Sequence, residues 1–130
     1  MAHLMREKDS VTDRLRFITH EGKQVLLVDV SNCSAVEAEK IIRAVPEIVS
    51  TRPRNSVLIL SDFTRAVFND DAVRALKESA VFDKPYVKKS AWIGTAYLPL
   101  ALSEAIREFS RREFPSFQSR EEALAWLVMD

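Results

Sequence analysis

Strand-length apolar runs alternate with amphipathic, helix-length segments along most of the chain, and this alternation constrains the fold more than any single motif. The predicted strands after the first are QVLLVDVS (24–31), SVLILS (56–61) and KKSAWIGTA (88–96). Because the first two are apolar at nearly every position, we expect them to be covered on both faces, as strands of parallel sheets are. Helical segments of about 10 to 15 residues between such strands indicate right-handed crossovers.

A β-hairpin is predicted at the start of the domain. LRFIT (15–19) is a further strand-like run, and HEGK separates it from 24–31. Gly22 supplies the permissive backbone that a tight turn needs. The hairpin therefore adds an antiparallel partner to the parallel strands.

The helix boundaries follow from capping residues and from helical spacing of apolar residues. Ser34 with Glu37 and Ser119 with Glu122 have the spacing of capping boxes. Pro46 is expected to kink or end the first helix, because it removes a backbone donor and crowds the preceding turn. The other helices are predicted at about 70–82 and in LPLALSEAIREFSRRE, with Leu98, Ala101, Leu102, Ala105, Ile106 and Phe109 on the apolar side.

These elements give the order β-β-α-β-α-β-α-β-α, in which FPSFQ is a short edge strand. We predict one α/β domain over residues 14–130, with a mostly parallel sheet, an N-terminal antiparallel hairpin and about four helices. Residues 1–13 are predicted to form a disordered N-terminal segment.

Composition argues against several classes of function. The 19 basic and 19 acidic residues balance, which argues against a nucleic-acid binder, because such proteins rely on a cationic face. The apolar runs are too short to span a membrane. A lone cysteine, Cys33, cannot form an intrachain disulfide and fits a reducing, cytoplasmic location. Two glycines are too few for a glycine-rich nucleotide loop, and two histidines with one cysteine are too few for a metal cluster, so no cofactor is expected.

Polar residues gather after the predicted strands, where ligands bind in open α/β sheets. The candidate partner- or ligand-binding residues are Asp62, Thr64, Arg65, Asn69, Asp70, Asp71, Thr95 and Tyr97. Asp70 and Asp71 also suit helix capping. Asp62 follows a buried strand and must find partners or water, and Arg65 is one candidate partner. No complete catalytic motif is present. Cys33 is not expected to have a base, because His3 lies in the segment predicted to be disordered and His20 in a hairpin turn expected at the other end of the sheet. No catalytic residue is therefore predicted.

Two basic runs and two tryptophans have alternative interpretations. DKPYVKKS carries Lys84, Lys88 and Lys89, and REFSRRE carries Arg107, Arg111 and Arg112. These are either solvated surface or a local site for an anion or an acidic partner. Trp92 and Trp126 belong either to the core or to an interface.

Four stretches, taken in order, carry a resemblance to a known family: HEGKQVLLVDVS, SVLILSDFTRAVFNDDAVRAL, KKSAWIGTA and FQSREEALAWL. The chain resembles the anti-sigma-factor-antagonist (STAS, SpoIIAA-like) superfamily, and most closely its small bacterial SpoIIAA-like proteins. The resemblance covers roughly residues 14–129. It implies a non-enzymatic protein that binds protein partners or small ligands. Phosphoregulated relatives carry an Asp-Ser-Ser-Gly-like motif where this chain has FNDDAV, with neither hydroxyl nor glycine, so no phosphorylation switch is expected there.

The predicted function is therefore a non-catalytic protein-interaction or regulatory module with an unknown protein partner. A homodimer is also predicted. The alternative is a binder of a small apolar or lipid-like ligand, in a groove lined by residues such as Phe82, Leu98, Leu102 and Phe109.

Overall fold

A five-stranded sheet with the strand order β1-β2-β3-β4-β5 organises the chain in the computed structural model, which describes residues 11 and 13–130. The strands are β1 (Leu15–His20), β2 (Lys23–Asp29), β3 (Val57–Asp62), β4 (Val87–Ile93) and β5 (Ser116–Phe117). The helices are α1 (Ala35–Val49), α2 (Asp70–Asp83), α3 (Leu100–Ser110) and α4 (Arg120–Val128), with a 3-10 turn at Thr95–Tyr97.

The sheet is mixed, as predicted. β1 and β2 are antiparallel, and all other neighbouring strands are parallel. Glu21 and Gly22 form the two-residue hairpin turn, both with positive φ, as a turn matched to the strand twist requires. The coarse α/β prediction is confirmed. Most of the predicted disordered segment 1–13 lies outside the described residues.

The spatial order of the described strands follows their order in the chain, so the sheet has no point at which strand order reverses. Residues of α1, α2 and α3 pack with one face of the sheet in the larger apolar cluster. Among the helices that the structure describes, α4 alone packs on the other face, where Ala123 and Leu127 belong to a second cluster. That cluster contains the alternate strand residues Val25, Leu27, Leu58, Leu60, Ala91 and Ile93.

Local differences from the sequence predictions have simple causes. Pro46 was expected to kink or end the first helix. It does not end α1, which continues to the fully buried Val49. Phe109 was predicted to face the core but is 59% exposed. Ser110 is buried instead and donates its hydroxyl to the carbonyl of Ile106 at 2.7 Å. A polar side chain thus takes the inward position by bonding within its own helix.

The capping predictions hold for α1 and in part for α4. Ser34 and Glu37 bond reciprocally to each other's backbone N–H groups. The Ser119 hydroxyl accepts from the N–H of Glu122 at 3.2 Å, but the Glu122 carboxylate accepts from the N–H of Gln118, also at 3.2 Å, instead of Ser119. The last helix therefore has half of a capping box.

Gly94 joins β4 to the loop that precedes α3, and it has a positive φ of 74°. A Cβ there would lie 2.8 Å from the Cα of Thr64 and would also collide with the Thr64 backbone nitrogen. Gly22 has a similar φ of 80°, but nothing lies within 4 Å of a Cβ built there. A substitution at Gly22 would therefore introduce backbone strain alone, whereas a substitution at Gly94 would add a steric clash to that strain.

We expect Gly94→Ala to lower the free energy of unfolding by about 3 kcal/mol or more, and Gly22→Ala by about 1 kcal/mol. The first change adds a backbone clash to the strain that both variants share. Urea titrations of the two variants check this. Equal losses would mean that the loop after β3 moves away at little cost.

Candidate functional site

Two buried or half-buried carboxylates lie side by side where β2 and β3 end. Asp29 and Asp62 are direct partners in the parallel register of these strands. Each follows its strand's alternation onto the face that α4 covers, since Leu27 and Leu60 belong to the same cluster as α4. The two acids therefore lie on one face of the sheet at its carboxyl edge.

Asp62 has a full set of partners. Its Oδ1 accepts from the backbone N–H of Thr64 at 3.0 Å and from the Thr64 hydroxyl at 2.7 Å. Its Oδ2 accepts from Nε and Nη2 of Arg120 at 3.1 and 2.9 Å. The requirement that this carboxylate find partners is thus met inside the protein.

Asp29 repeats this arrangement. Its Oδ1 accepts from the backbone N–H of Ser31 at 3.0 Å and from the Ser31 hydroxyl at 2.5 Å. Arg120 Nη2 lies 3.2 Å from its Oδ2, and Arg14 Nη1 lies 3.8 Å from its Oδ1. Burial alone would raise the pKa of Asp29, but the Ser31 hydrogen bonds and the charge of Arg120 outweigh it and lower the pKa.

Arg120 joins the two acids because it is the first residue of α4, which begins at the carboxyl edge. Neither Arg120 nor Arg14 was predicted from the sequence to belong to this site. Arg65, the partner proposed for the acids, is exposed in a left-handed conformation with φ 55°. It forms no ion pair with any described residue. The sequence signal for Arg120 was SREE, a capped helix start. Because this helix follows a strand, its first residue lies at the edge where the parallel strands end.

The geometry of the cluster favours a structural ion-pair network over acid–base chemistry. A general acid needs a raised pKa, whereas the pKa of Asp29 is lowered and Asp62 accepts two bonds from a guanidinium. The arrangement fastens the N-terminus of α4 to the sheet.

The remaining predicted residues of the β3–α2 loop lie at the start of α2. Asn69 is the N-cap, and its side-chain oxygen accepts from the N–H of Ala72 at 2.9 Å. Asp70 and Asp71 are exposed in the first turn, and Asp71 lies 3.6 Å from Arg74. Their position agrees with the capping and helix-dipole interpretation, and their exposure leaves them able to contact a partner.

Thr95 and Tyr97 lie in the 3-10 turn after β4. Thr95 lines a cleft of about 450 Å³ whose other lining residues include Trp92, Leu98, Arg107 and Phe114. The ring of Trp92, which is 4% exposed, stacks on Phe114 with centroids 4.4 Å apart. Of the four residues expected to line an apolar groove, only Leu98 lines this cleft. Leu102 is buried in the core, and Phe82 and Phe109 are exposed.

Cys33 is buried, and burial raises the pKa of its thiol despite the nearby charge of Arg14. Arg14 Nη1 donates to its Sγ at 3.2 Å. His20 ends β1 beside the hairpin turn, at the opposite end of β2 from Asp29. Neither Arg14 nor His20 therefore supplies Cys33 with a base. Within residues 11 and 13–130, no group of three or more His, Cys, Asp or Glu could hold a metal ion.

No protein-family model, curated protein or solved structure matches this chain. Among the described helices, none combines the length and apolar character needed to cross a bilayer.

A separate polar group is buried between α2 and the sheet. Asp83 is 3% exposed. Its Oδ2 accepts from the Ser79 hydroxyl at 2.6 Å, while its Oδ1 accepts no hydrogen bond from the described residues. Burial raises the pKa of Asp83 to about 6, against the opposing effects of the Ser79 hydrogen bond and the charge of Arg112.

Asp83→Asn should stabilise the protein by about 2 kcal/mol at pH 8. Because the folded-state pKa lies above the ordinary value, the acid opposes folding increasingly as the pH rises through 4 to 6. The gain should therefore vanish near pH 4. Urea titrations at both pH values measure this, with Asp71→Asn as the exposed control on the same helix. A gain that is independent of pH would contradict the assignment.

Arg120→Gln should lower the free energy of unfolding at pH 7 by about 2 kcal/mol, between the values typical of surface and buried pairs. The folded pKa of Asp29 is depressed, so its stabilising contribution is present above the unfolded pKa and is lost as the pH falls through the folded pKa. The difference between wild type and variant should therefore shrink below about pH 4.

Denaturant titrations at pH 7 and pH 3 test this expectation. Arg43→Gln is the matched control, because Arg43 is as exposed as Arg120 and also joins two carboxylates, but its partners Glu39 and Glu78 are more exposed than Asp29 and Asp62. We expect a much smaller loss for Arg43→Gln. Equal losses for the two variants would show that Arg120 does not fasten α4.

Proposed function

We propose that this chain is a SpoIIAA-like protein that acts as a non-catalytic interaction module, and that its partner binds the carboxyl edge of the sheet. The observation that carries the proposal is a group of exposed side chains on the loops and helix starts at this edge. Apolar and charged members occur together: Val36, Arg65, Val67, Asp70, Asp71 and Tyr97. Exposed apolar side chains next to charged ones are typical of a partner surface.

The loops that carry these side chains are bonded to one another. The N–H of Asn32 donates to the carbonyl of Thr64 at 2.8 Å, and the N–H of Val67 donates to the carbonyl of Cys33 at 3.1 Å. Gly94 lies directly against Thr64. A surface held in this way loses little conformational freedom when a partner binds, which favours affinity.

The buried acids support a non-catalytic role. Asp29 and Asp62 are committed to Arg120, Ser31 and Thr64. The buried Cys33 thiol has a raised pKa, which opposes formation of the reactive thiolate.

The geometry also supports a loop that is not switched by phosphorylation. The Thr64 hydroxyl donates to Asp62, and Ser61 is buried. A phosphate on Thr64 would place new negative charge against the Asp62 carboxylate. Asp70 and Asp71 carry negative charge on this surface without modification.

A second candidate is a ligand site in the cleft beside Thr95. The stacked Trp92 and Phe114 rings, with Leu98, give it an apolar floor, and its volume of about 450 Å³ suits a small molecule. The small apolar or lipid-like ligand stays a prediction, as do the homodimer and the cytoplasmic location.

Val67→Asp should abolish capture of the partner from an extract of the native host, and Val81→Asp should not. Both valines are exposed, but Val81 lies on α2, eleven residues beyond the helix start at Asp70. Quantitative mass spectrometry of proteins retained by immobilised wild type and variants provides the measurement. Loss with Val81→Asp alone would move the interface to the outer face of α2. Stoichiometric phosphate on Thr64 of the protein from its host would contradict the unswitched loop.

A further inference from the structure

The two basic runs of the sequence meet in one cleft. Lys84 approaches it from the C-cap of α2, and Lys88 and Lys89 approach it from the start of β4. Arg111 and Arg112 approach it from the end of α3. Glu113 is the acidic residue in its lining, and the cleft has a volume of about 420 Å³. Five cations against one carboxylate give the lining of the cleft a net positive charge, although the net charge of the chain is zero.

The short β5 explains why a cleft forms here. β5 pairs only with Trp92 and Ile93 of β4. Along Val87–Ser90 no described strand pairs with the outer edge of β4, and the basic side chains surround this open edge. The cleft therefore lies toward the amino end of β4, away from the carboxyl edge, and its role does not depend on the proposed function.

Arg112 is a half-buried cation in this cleft that lacks an ion pair. Its Nη1 donates to the carbonyl of Ala80 at 2.9 Å and its Nη2 to the Ser90 hydroxyl at 2.6 Å. No described carboxylate lies within ion-pair distance of it. Burial lowers the pKa of Arg112, and the more distant Asp83 offsets this only in part. An incoming anion would thus add a counter-charge in direct contact with the guanidinium, which Asp83 does not provide.

The exposed cations of the cleft are available for a ligand. Lys84, Lys88 and Arg111 are exposed and form no ion pair with a described residue. Lys89 has another task. Its Nζ donates to the carbonyls of Trp126 and Met129 at 3.0 and 2.6 Å, and it lies 4.9 Å from the centroid of the Trp126 ring. Trp126 also lines the cleft. Lys89 therefore holds this tryptophan in place, while the other cations remain available for a ligand.

We propose that this cleft binds a small phosphorylated ligand, with Lys84, Lys88, Arg111 and Arg112 contacting its phosphate oxygens. Lysine and arginine are the usual protein partners of phosphate, and the cleft has the volume of a small-molecule site. A nucleic acid fits less well, because it needs a basic surface that extends beyond a single cleft.

The test uses inorganic pyrophosphate and tripolyphosphate as probes, with binding to the full chain measured by calorimetry and by Trp126 fluorescence. Trp126→Phe assigns the fluorescence signal, since the other tryptophan, Trp92, is buried. The double variant Lys84→Gln with Lys88→Gln should bind either probe at least about tenfold more weakly, because it loses two charge-assisted contacts. Both side chains are exposed, so the variant should fold.

Arg74→Gln is the matched control for loss of positive charge, because Arg74 is an exposed residue of α2 that does not line the cleft. It should leave the affinity for both probes unchanged. No binding of pyrophosphate or tripolyphosphate at millimolar concentration would overturn the proposal. Equal weakening by Arg74→Gln and by the double variant would also overturn it, as would an oligonucleotide that binds more tightly than tripolyphosphate at the same salt concentration.

Discussion

The bond between Arg120 and two aspartates is the interaction on which the second face of the sheet depends. α4 is the one described helix on that face, and it has only two buried residues, Ala123 and Leu127. Leu124, Trp126 and Val128 of this nine-residue helix are only partly buried against the same cluster, so burial alone holds the helix less firmly than the three helices on the other face. Arg120 fixes its first turn to Asp29 and Asp62. At the other end Lys23 donates to the carbonyl of Val128 at 2.9 Å, and Lys89 donates to those of Trp126 and Met129.

The contacts of Arg120 with Asp29 and Asp62 favour a structural interpretation of these acidic residues at the carboxyl edge. Adjacent carboxylates at the ends of parallel strands would suggest catalysis or a metal site in many α/β proteins. Here Asp29 and Asp62 are used to hold a helix, whereas the acids in the first turn of α2 face outward. The proposed partner would therefore contact the rim of the edge, formed by residues such as Val67, Asp70 and Tyr97, and not its buried centre.

The elements that the sequence predicted correctly are those specified by local pattern. Strand runs, the Gly22 turn and the Ser34 cap are each determined by a few neighbouring residues. The errors and omissions depend on distant contacts. Arg120 meets Asp62 across 58 positions of sequence, and helical periodicity could not show that Ser110 would replace Phe109 on the inner side of α3. The two basic runs were identified, but only the shortness of β5 shows that they share a cleft.

The zero net charge of the chain conceals a separation of charge along α2. Asp70 and Asp71 lie at its N-terminus and Lys84 is its C-cap, and the helix dipole stabilises both placements without any ligand. Fourteen helical residues span roughly 20 Å at about 1.5 Å per residue. That is more than two Debye lengths at physiological ionic strength, so the acidic rim and the basic cleft are largely screened from each other. A partner at the rim and a phosphorylated ligand in the cleft would therefore bind with little electrostatic interference, and any coupling between them must pass through the packing of α2 on the sheet.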